Sequence, residues 1–324
     1  MSKPKIAFYW AGSCGGCEVA VVDLGEKIYD VVDAFDIVFW PVAIDTKYDD
    51  IRNLEDGEIE VCFFNGCIRN EENEEIARLL RQKSKVMIAF GSCSHLGGIP
   101  GLGNLSSRDE TLDYVYRKTP VFGNEDGTMP CTTCVKDGNT IDLPALRTEV
   151  SALDDVVDVD YYIPGCPPPL PVIEGAVAAL MSGELPRKGA VLSTEKTVCD
   201  ECDKEKRKKM VGKARRIYDD DVDTSLCLLE QGIPCMGPAT RGGCKAACPS
   251  ANMPCTGCMG PPPASQEQGS RMVTAITSLI AVENEREATA EEVAEALASL
   301  RDPVGFFYMY SLPTSFLKRR YNDE

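Results

Sequence analysis

The stretch Lys5–Val22, KIAFYWAGSCGGCEVAVV, sets the pattern for the first half of the chain. Its opening residues, Lys5–Tyr9, are a short apolar run that predicts a β-strand. A glycine-rich turn carrying Cys14 and Cys17 follows, and the pattern then becomes helical over Glu18–Val31. Strand, turn and helix in this order are typical of one unit of a parallel, doubly wound α/β sheet.

The same alternation continues downstream of this unit. Further strands are predicted at Asp36–Trp40, Ile59–Phe64, Lys85–Phe90 and Val156–Ile163. Helices are predicted at Glu71–Arg81, Leu170–Met181, Gly269–Val282 and Ala290–Leu300. We therefore expect an α/β fold: a flavodoxin-like doubly wound parallel sheet at 1–185, an irregular cysteine-rich domain at 186–265 and a tail of short helices at 266–324.

Composition and charge narrow the classes of function. The chain has 324 residues, 16 cysteines and a formal net charge of −17. So acidic a chain should repel nucleic acid and anionic membrane surfaces, so neither is expected as a partner. No signal-peptide pattern and no apolar stretch of membrane-spanning length is seen, so a cytoplasmic location is expected. A reducing cytosol disfavours disulfides, and metal binding is then the better interpretation of the cysteines.

Four cysteines fall just after predicted strands: Cys14, Cys17, Cys93 and Cys166. Ligands of open α/β sheets collect beyond the carboxyl ends of the strands, so these residues are expected to converge on one site. Four thiolates are what a 4Fe–4S cluster requires, although they also suit a structural zinc ion.

A second set of eight cysteines lies within Cys199–Cys258. Eight thiolates make two four-ligand sites. Sequence order suggests one site from Cys199, Cys202, Cys227 and Cys235, and another from Cys244, Cys248, Cys255 and Cys258. An interleaved pairing stays open, because spacing alone does not fix connectivity, and these residues alone do not decide between zinc and iron–sulfur.

With these motifs the chain resembles the small subunit of nickel–iron hydrogenases. The resemblance rests on Cys14-Gly-Gly-Cys17, on Gly-Ser-Cys93 with Gly97-Gly98-Ile99-Pro100, and on Gly165-Cys166-Pro-Pro. Phe63-Phe64-Asn65-Gly66 and Gly98–Leu102 are similar to the methyl-viologen-reducing group of methanogens, which does not reduce coenzyme F-420.

This resemblance implies three 4Fe–4S clusters. The proximal cluster would be held by Cys14, Cys17, Cys93 and Cys166. The medial cluster would be held by Cys244, Cys248, Cys255 and Cys258. The distal cluster would be held by Cys199, Cys202, Cys227 and Cys235. Cys199 stands where many members have histidine, and Cys248 adds a fourth ligand to a medial site that has three in many members.

The resemblance also implies a role and partners. The chain would carry electrons from hydrogen oxidation on a separate nickel–iron large subunit, and would itself hold no catalytic centre. A partner iron–sulfur or flavin protein would accept the electrons, for example a small iron–sulfur subunit feeding heterodisulfide reductase. Three rivals stay open: the F-420-reducing hydrogenase gamma subunit, the related subunit of respiratory complex I, and a zinc-stapled scaffold without redox activity.

The remaining candidate residues have weaker assignments. Cys67 follows the third strand and is a candidate neighbour of, or alternative ligand to, the proximal cluster. Cys62 is expected in the core, and Cys131 and Cys134 on a loop as unpaired thiols. His95, the single histidine, is expected at a surface or loop position.

Overall fold

A computed structural model of the chain describes residues 3–120, 123–207, 214–218, 222–265, 267–279 and 289–317. Within those ranges, six strands form one parallel sheet in the order β10-β9-β5-β3-β1-β2. The strands are β1 Lys5–Trp10, β2 Asp36–Phe39, β3 Ile59–Asn65, β4 Ile68–Asn70, β5 Ser84–Phe90, β6 Thr133–Lys136, β7 Asn139–Asp142, β8 Leu146–Ser151, β9 Tyr161–Ile163 and β10 Ala190–Val191.

Counted over the five predicted strands, the order is the doubly wound order 2-1-3-4-5, with β10 added at one edge. The helices are α1 Gly16–Val22, α2 Ile28–Ala34, α3 Tyr48–Arg52, α4 Glu71–Lys83, α5 Ser92–Leu96, α6 Arg108–Asp113, α7 Leu170–Ser182, α8 Val198–Glu201, α9 Ala247–Ser250, α10 Gln268–Leu279, α11 Ala290–Ala298 and α12 Pro303–Phe307. The predicted α/β class and parallel sheet are confirmed. In the described part of the chain, no helix has the length and apolar character needed to cross a bilayer.

Successive side chains of a strand point to opposite faces of the sheet. Both faces are buried, because helices pack on each of them. Phe8 and Phe63 pack with α1, α2 and α7 on one face. Tyr9 and Phe64, their neighbours in sequence, pack with α3 and α4 on the other. This two-sided burial explains why the strands are continuous apolar runs rather than alternating ones.

Two predicted elements differ from the structure. The helix predicted over Glu18–Val31 is broken into α1 and α2, because Gly25 has φ +60°, which a right-handed helix cannot accommodate. The strand predicted over Val156–Ile163 is only Tyr161–Ile163 long, because the N–H groups of Val156 and Val157 donate to Leu153 in a helical turn. The remaining predicted strands and α4 and α7 are confirmed within a few residues.

The cysteine-rich segment and the tail share a third hydrophobic cluster. Met236 and Leu229 of the segment pack with Met272 and Ile276 of α10 and with Phe307 of α12. Helices α10 and α11 lie where helices are predicted, and residues 280–282 of the first prediction lie outside the described residues. The division at 185 and 265 stays a prediction.

Candidate functional site

The first cysteine group forms at the carboxyl ends of the sheet strands. Cys14 and Cys17 follow β1, Cys93 lies in α5 directly after β5, and Cys166 follows β9. The three other thiols of the group all act electrostatically on Cys17, so they lie near its sulfur. Cys17 and Cys93 are buried, whereas Cys14 is exposed, so the group opens to the surface on the Cys14 side.

Glycines let the main chain approach these sulfurs closely. A Cβ on Gly98 would stand 2.5 Å from the Cys93 sulfur, and one on Gly91 would collide with the Cys17 sulfur. The Gly16 N–H lies 3.4 Å from the Cys14 sulfur, and the Ile99 N–H donates to Cys93. Such N–H groups stabilise thiolates and sulfur clusters, so the local chain geometry suits negatively charged sulfur.

The second group consists of Cys244, Cys248, Cys255 and Cys258. Cys258 interacts electrostatically with both Cys244 and Cys248, and Cys255 interacts with Cys258. Main-chain N–H groups of Ala246 and Ala247 donate to Cys244. Cys258 thus links the four cysteines that sequence order assigns to one site, but Cys255 interacts more strongly with Cys235 than with Cys258, so this pairing stays a prediction.

The third group lines a cavity of about 260 Å³. The cysteines around it are Cys199, Cys202, Cys227 and Cys235. The cavity wall is otherwise largely apolar, with Leu228 and Leu229, and two cations, Lys204 and Lys206, also line it. This quartet too follows sequence order.

Hydrogen bonds connect the three groups in a row. The Cys166 N–H of the first group donates to the Cys258 thiol of the second. The Cys255 N–H of the second group lies 3.3 Å from the Cys235 sulfur of the third. The second group therefore lies between the other two, in contact with both.

Burial makes these thiols reluctant to ionise by themselves. It raises the pKa of Cys93, Cys199 and Cys258 to about 12, and the pKa of Cys17 and Cys255 also lies well above the usual value for the same reason. The neighbouring thiols add to the increase in each case. Thiolates at these buried positions would need positive charge among them, which a metal centre supplies.

Across the described ranges, no three His, Cys, Asp or Glu side chains are placed to hold one metal ion.

The four other cysteines do not gather into a fourth site. Cys62 is fully buried in β3, as predicted for a core residue. Cys67 is fully buried beside Cys93, and burial raises its pKa to about 11. Cys131 and Cys134 are exposed at the β6–β7 hairpin, so the loop prediction was wrong for Cys134, which lies within β6.

Glu18 is buried, whereas His95 is half-buried. The expectation of a loop position for His95 was wrong: it lies in α5, its ring is 4.6 Å from that of Tyr162, and desolvation lowers its pKa to about 3. Glu18 lies in the first turn of α1, where its carboxylate accepts hydrogen bonds from the indole of Trp40 and the amide of Asn65. No local sequence signal points to these contacts, because the partners lie on different elements.

A family model matches half of the chain. Residues 14–180 match the family described as NADH ubiquinone oxidoreductase, 20 Kd subunit. The match covers β2, β3, β5 and β9 of the main sheet and the first cysteine group, and it ends before the eight-cysteine segment.

Curated relatives match almost the whole chain. A subunit of the F420-non-reducing hydrogenase of Methanothermobacter thermautotrophicus is 39% identical over 325 residues, covering 99% of this chain and 98% of the relative. The iron-sulfur subunit of the F420-non-reducing hydrogenase of Archaeoglobus profundus is 36% identical over 322 residues, covering 98% of each. Among solved structures, a chain of the Dm. baculatum [NiFeSe]-hydrogenase is similar in fold, with a TM-score of 0.52, 17% identity, and coverage of 82% of this chain and 97% of that one.

Proposed function

The chain belongs to the F420-non-reducing hydrogenase subunit family of these relatives, and from that premise we propose that it is the electron-relay subunit of a cytoplasmic nickel–iron hydrogenase. Membership makes it a subunit of an oxidoreductase, a hydrogenase. The proposal adds three 4Fe–4S clusters, the direction of electron flow and the partners at each end.

The three cysteine groups fit such clusters. Each offers four thiols, main-chain N–H groups lie against several of the sulfurs, and glycines make room for close approach. When bound, each 4Fe–4S cluster carries one electron at a time. The chain would hold the clusters in place, exclude water and set their potentials through burial and N–H donors.

The contact of the second group with both others is the observation that carries the relay. Cys166 contacts Cys258 through a hydrogen bond, and Cys255 contacts Cys235 in the same way. Electrons entering at the first group would therefore pass through the second before they reach the third. This is the order of proximal, medial and distal clusters.

The two ends of the row favour different partners. The first group opens at the exposed Cys14, near the exposed apolar residues Val19 and Val22 of α1, which would suit the nickel–iron large subunit. The third group has Lys204 and Lys206 beside it, where a small iron–sulfur subunit feeding heterodisulfide reductase would take the electrons. A cytoplasmic location belongs to the same proposal, and cell fractionation tests it.

The relatives weigh against two rivals. Those that match over the full length carry the name F420-non-reducing, which disfavours the F-420-reducing gamma subunit. The 20 Kd subunit family matches only residues 14–180 and leaves the eight-cysteine segment unaccounted for. The third rival, a zinc-stapled scaffold, is tested by measuring iron, zinc and sulfide in the purified protein.

Hydrogen-driven reduction of the assembled complex tests the relay. In a Cys202→Ser variant we expect hydrogen to reduce the first two clusters normally, seen by EPR, while reduction of the iron–sulfur partner falls at least about tenfold because the exit cluster is damaged. Cys134→Ser, which changes an exposed thiol outside the three groups, is the matched control and should behave as wild type. Unchanged partner reduction in Cys202→Ser would mean that electrons leave by another route.

A further inference from the structure

A fifth thiol, that of Cys67, lies beside the first cysteine group. Four neighbouring strands, in the order β9, β5, β3 and β1, are each followed by cysteine at the same edge. Three of them supply the predicted quartet, and β3 supplies Cys67. Because β3 lies between β1 and β5, Cys67 is placed between the loop of Cys14 and Cys17 on one side and Cys93 on the other.

The contacts of Cys67 tie it to both neighbours. Its thiol donates to the Gly12 carbonyl at 3.1 Å, and the two residues also exchange main-chain hydrogen bonds of 3.1 and 3.0 Å. On its other side Cys67 packs with Cys93 and Val150 in one small buried cluster. The side chain is fully buried and meets a ligand candidate directly, rather than lying elsewhere in the core.

Two glycines allow the loop that carries Cys67 to approach the loop that carries Cys14. Gly66 has φ +98°, and a Cβ there would stand 2.8 Å from the Ala11 carbonyl carbon, so only glycine lets the loops after β1 and β3 approach so closely. A Cβ on Gly12 would stand 2.9 Å from the Cys67 sulfur. The two glycines therefore bring Cys67 against the loop that carries Cys14.

We propose that Cys67 is a reserve ligand of the first cluster, whose sulfur takes the place of Cys93 when that ligand is lost. The inference rests on the proposed function, since it presupposes a cluster at this group. The exchange would move one proton and no electrons: the Cys93 sulfur–iron bond would break, the Cys67 S–H bond would pass its proton to the released Cys93 thiolate, and a Cys67 sulfur–iron bond would form in its place. The hydrogen bond to Gly12 is given up in the process.

Iron and sulfide analysis of cysteine variants, with EPR after dithionite reduction, tests the exchange. Wild type should hold about twelve iron, and Cys93→Ala should keep about twelve with an altered signal from the first cluster. Cys93→Ala/Cys67→Ala should hold about eight, with both remaining clusters intact. Cys93→Ala/Cys62→Ala is the matched control: Cys62 is equally buried and precedes Cys67 by five residues but packs away from the group, so its iron content should equal that of Cys93→Ala.

The iron contents distinguish failure of the reserve-ligand role from failure of the proposed relay function. About eight iron already in Cys93→Ala, or equal iron in Cys93→Ala and in Cys93→Ala/Cys67→Ala, would overturn the reserve-ligand role while leaving the relay in place. Fewer than about twelve iron in wild type would count against the proposed function itself. Cys93→Val keeps roughly the size of the side chain without a donor atom, and it replaces alanine in both variants if Cys93→Ala does not fold.

Discussion

Gly98 shows at the scale of one residue how the main chain makes room for sulfur. It has φ +62°, and a Cβ there would lie 2.5 Å from the Cys93 sulfur and 2.8 Å from the Cys93 Cα. A side chain at this position is therefore strained by its backbone and also pushes on a proposed ligand.

Gly98→Ala is accordingly expected to displace the Cys93 sulfur and alter the EPR signal of the first cluster, with iron staying at about twelve per chain because Cys67 would take the place of Cys93. Gly103→Ala is the matched control, because this glycine lies in the adjoining helical turn, Ile99–Leu105, and a Cβ there meets nothing within 4 Å. The same EPR signal in both variants as in wild type would show that the close approach at Gly98 does not matter for metal binding.

Asp160 is a buried acid whose charge is compensated within the fold. Burial alone would raise its pKa, but hydrogen bonds from Lys188, Arg81 and the Met87 N–H outweigh burial, and the pKa is lowered. A lowered pKa in the folded state stabilises the protein above the unfolded pKa, and this contribution disappears as the pH falls through the folded value.

Asp160→Asn should therefore lower the free energy of unfolding by about 2 kcal/mol at neutral pH. The difference from wild type should shrink below about pH 4, where the unfolded carboxyl takes up its proton. Anaerobic thermal unfolding measured across pH checks this, with Asp158→Asn, a less buried position, as control. If the difference in the free energy of unfolding between Asp160→Asn and wild type did not change with pH, the charge of the carboxylate would not be what stabilises the fold.

At the scale of elements, buried strands are easier to predict than exposed ones. The main sheet strands are apolar runs, so β1, β2, β3 and β5 were predictable. The β6–β7 hairpin has no such run, since its strand residues are all exposed, and its signal was instead the Asp137-Gly138 pair. Both residues have positive φ, which is typical of the tight turn that joins two antiparallel strands.

The hairpin cysteines are expected to be dispensable for metal. Cys131→Ser/Cys134→Ser should keep about twelve iron per chain, because both thiols are exposed and lie outside the three groups. In the intact protein these two thiols should react quickly with iodoacetamide, whereas the buried Cys62 should not. Loss of iron in the double variant would assign a metal to the hairpin.

At the scale of the molecule, the sheet topology brings together cysteines that are far apart in the sequence. That the first four cysteines converge was predictable, because carboxyl ends of parallel strands share one edge. Sequence order suggests a pairing of the eight later cysteines but leaves an interleaved one open, and the hydrogen bond between Cys255 and Cys235 shows how closely the two later groups approach each other. The surroundings of His95 were equally hard to predict, since Tyr162 and Arg241, which lie near it, are distant in the chain.

The row of three groups is the central claim, and metal analysis tests it most directly. Iron, zinc and acid-labile sulfide are measured on the whole protein purified without oxygen, with EPR after dithionite reduction. We expect about twelve iron and about twelve sulfide per chain, little zinc, and interacting signals from 4Fe–4S clusters. Stoichiometric zinc without sulfide would contradict the claim and leave a structural scaffold in place of an electron relay.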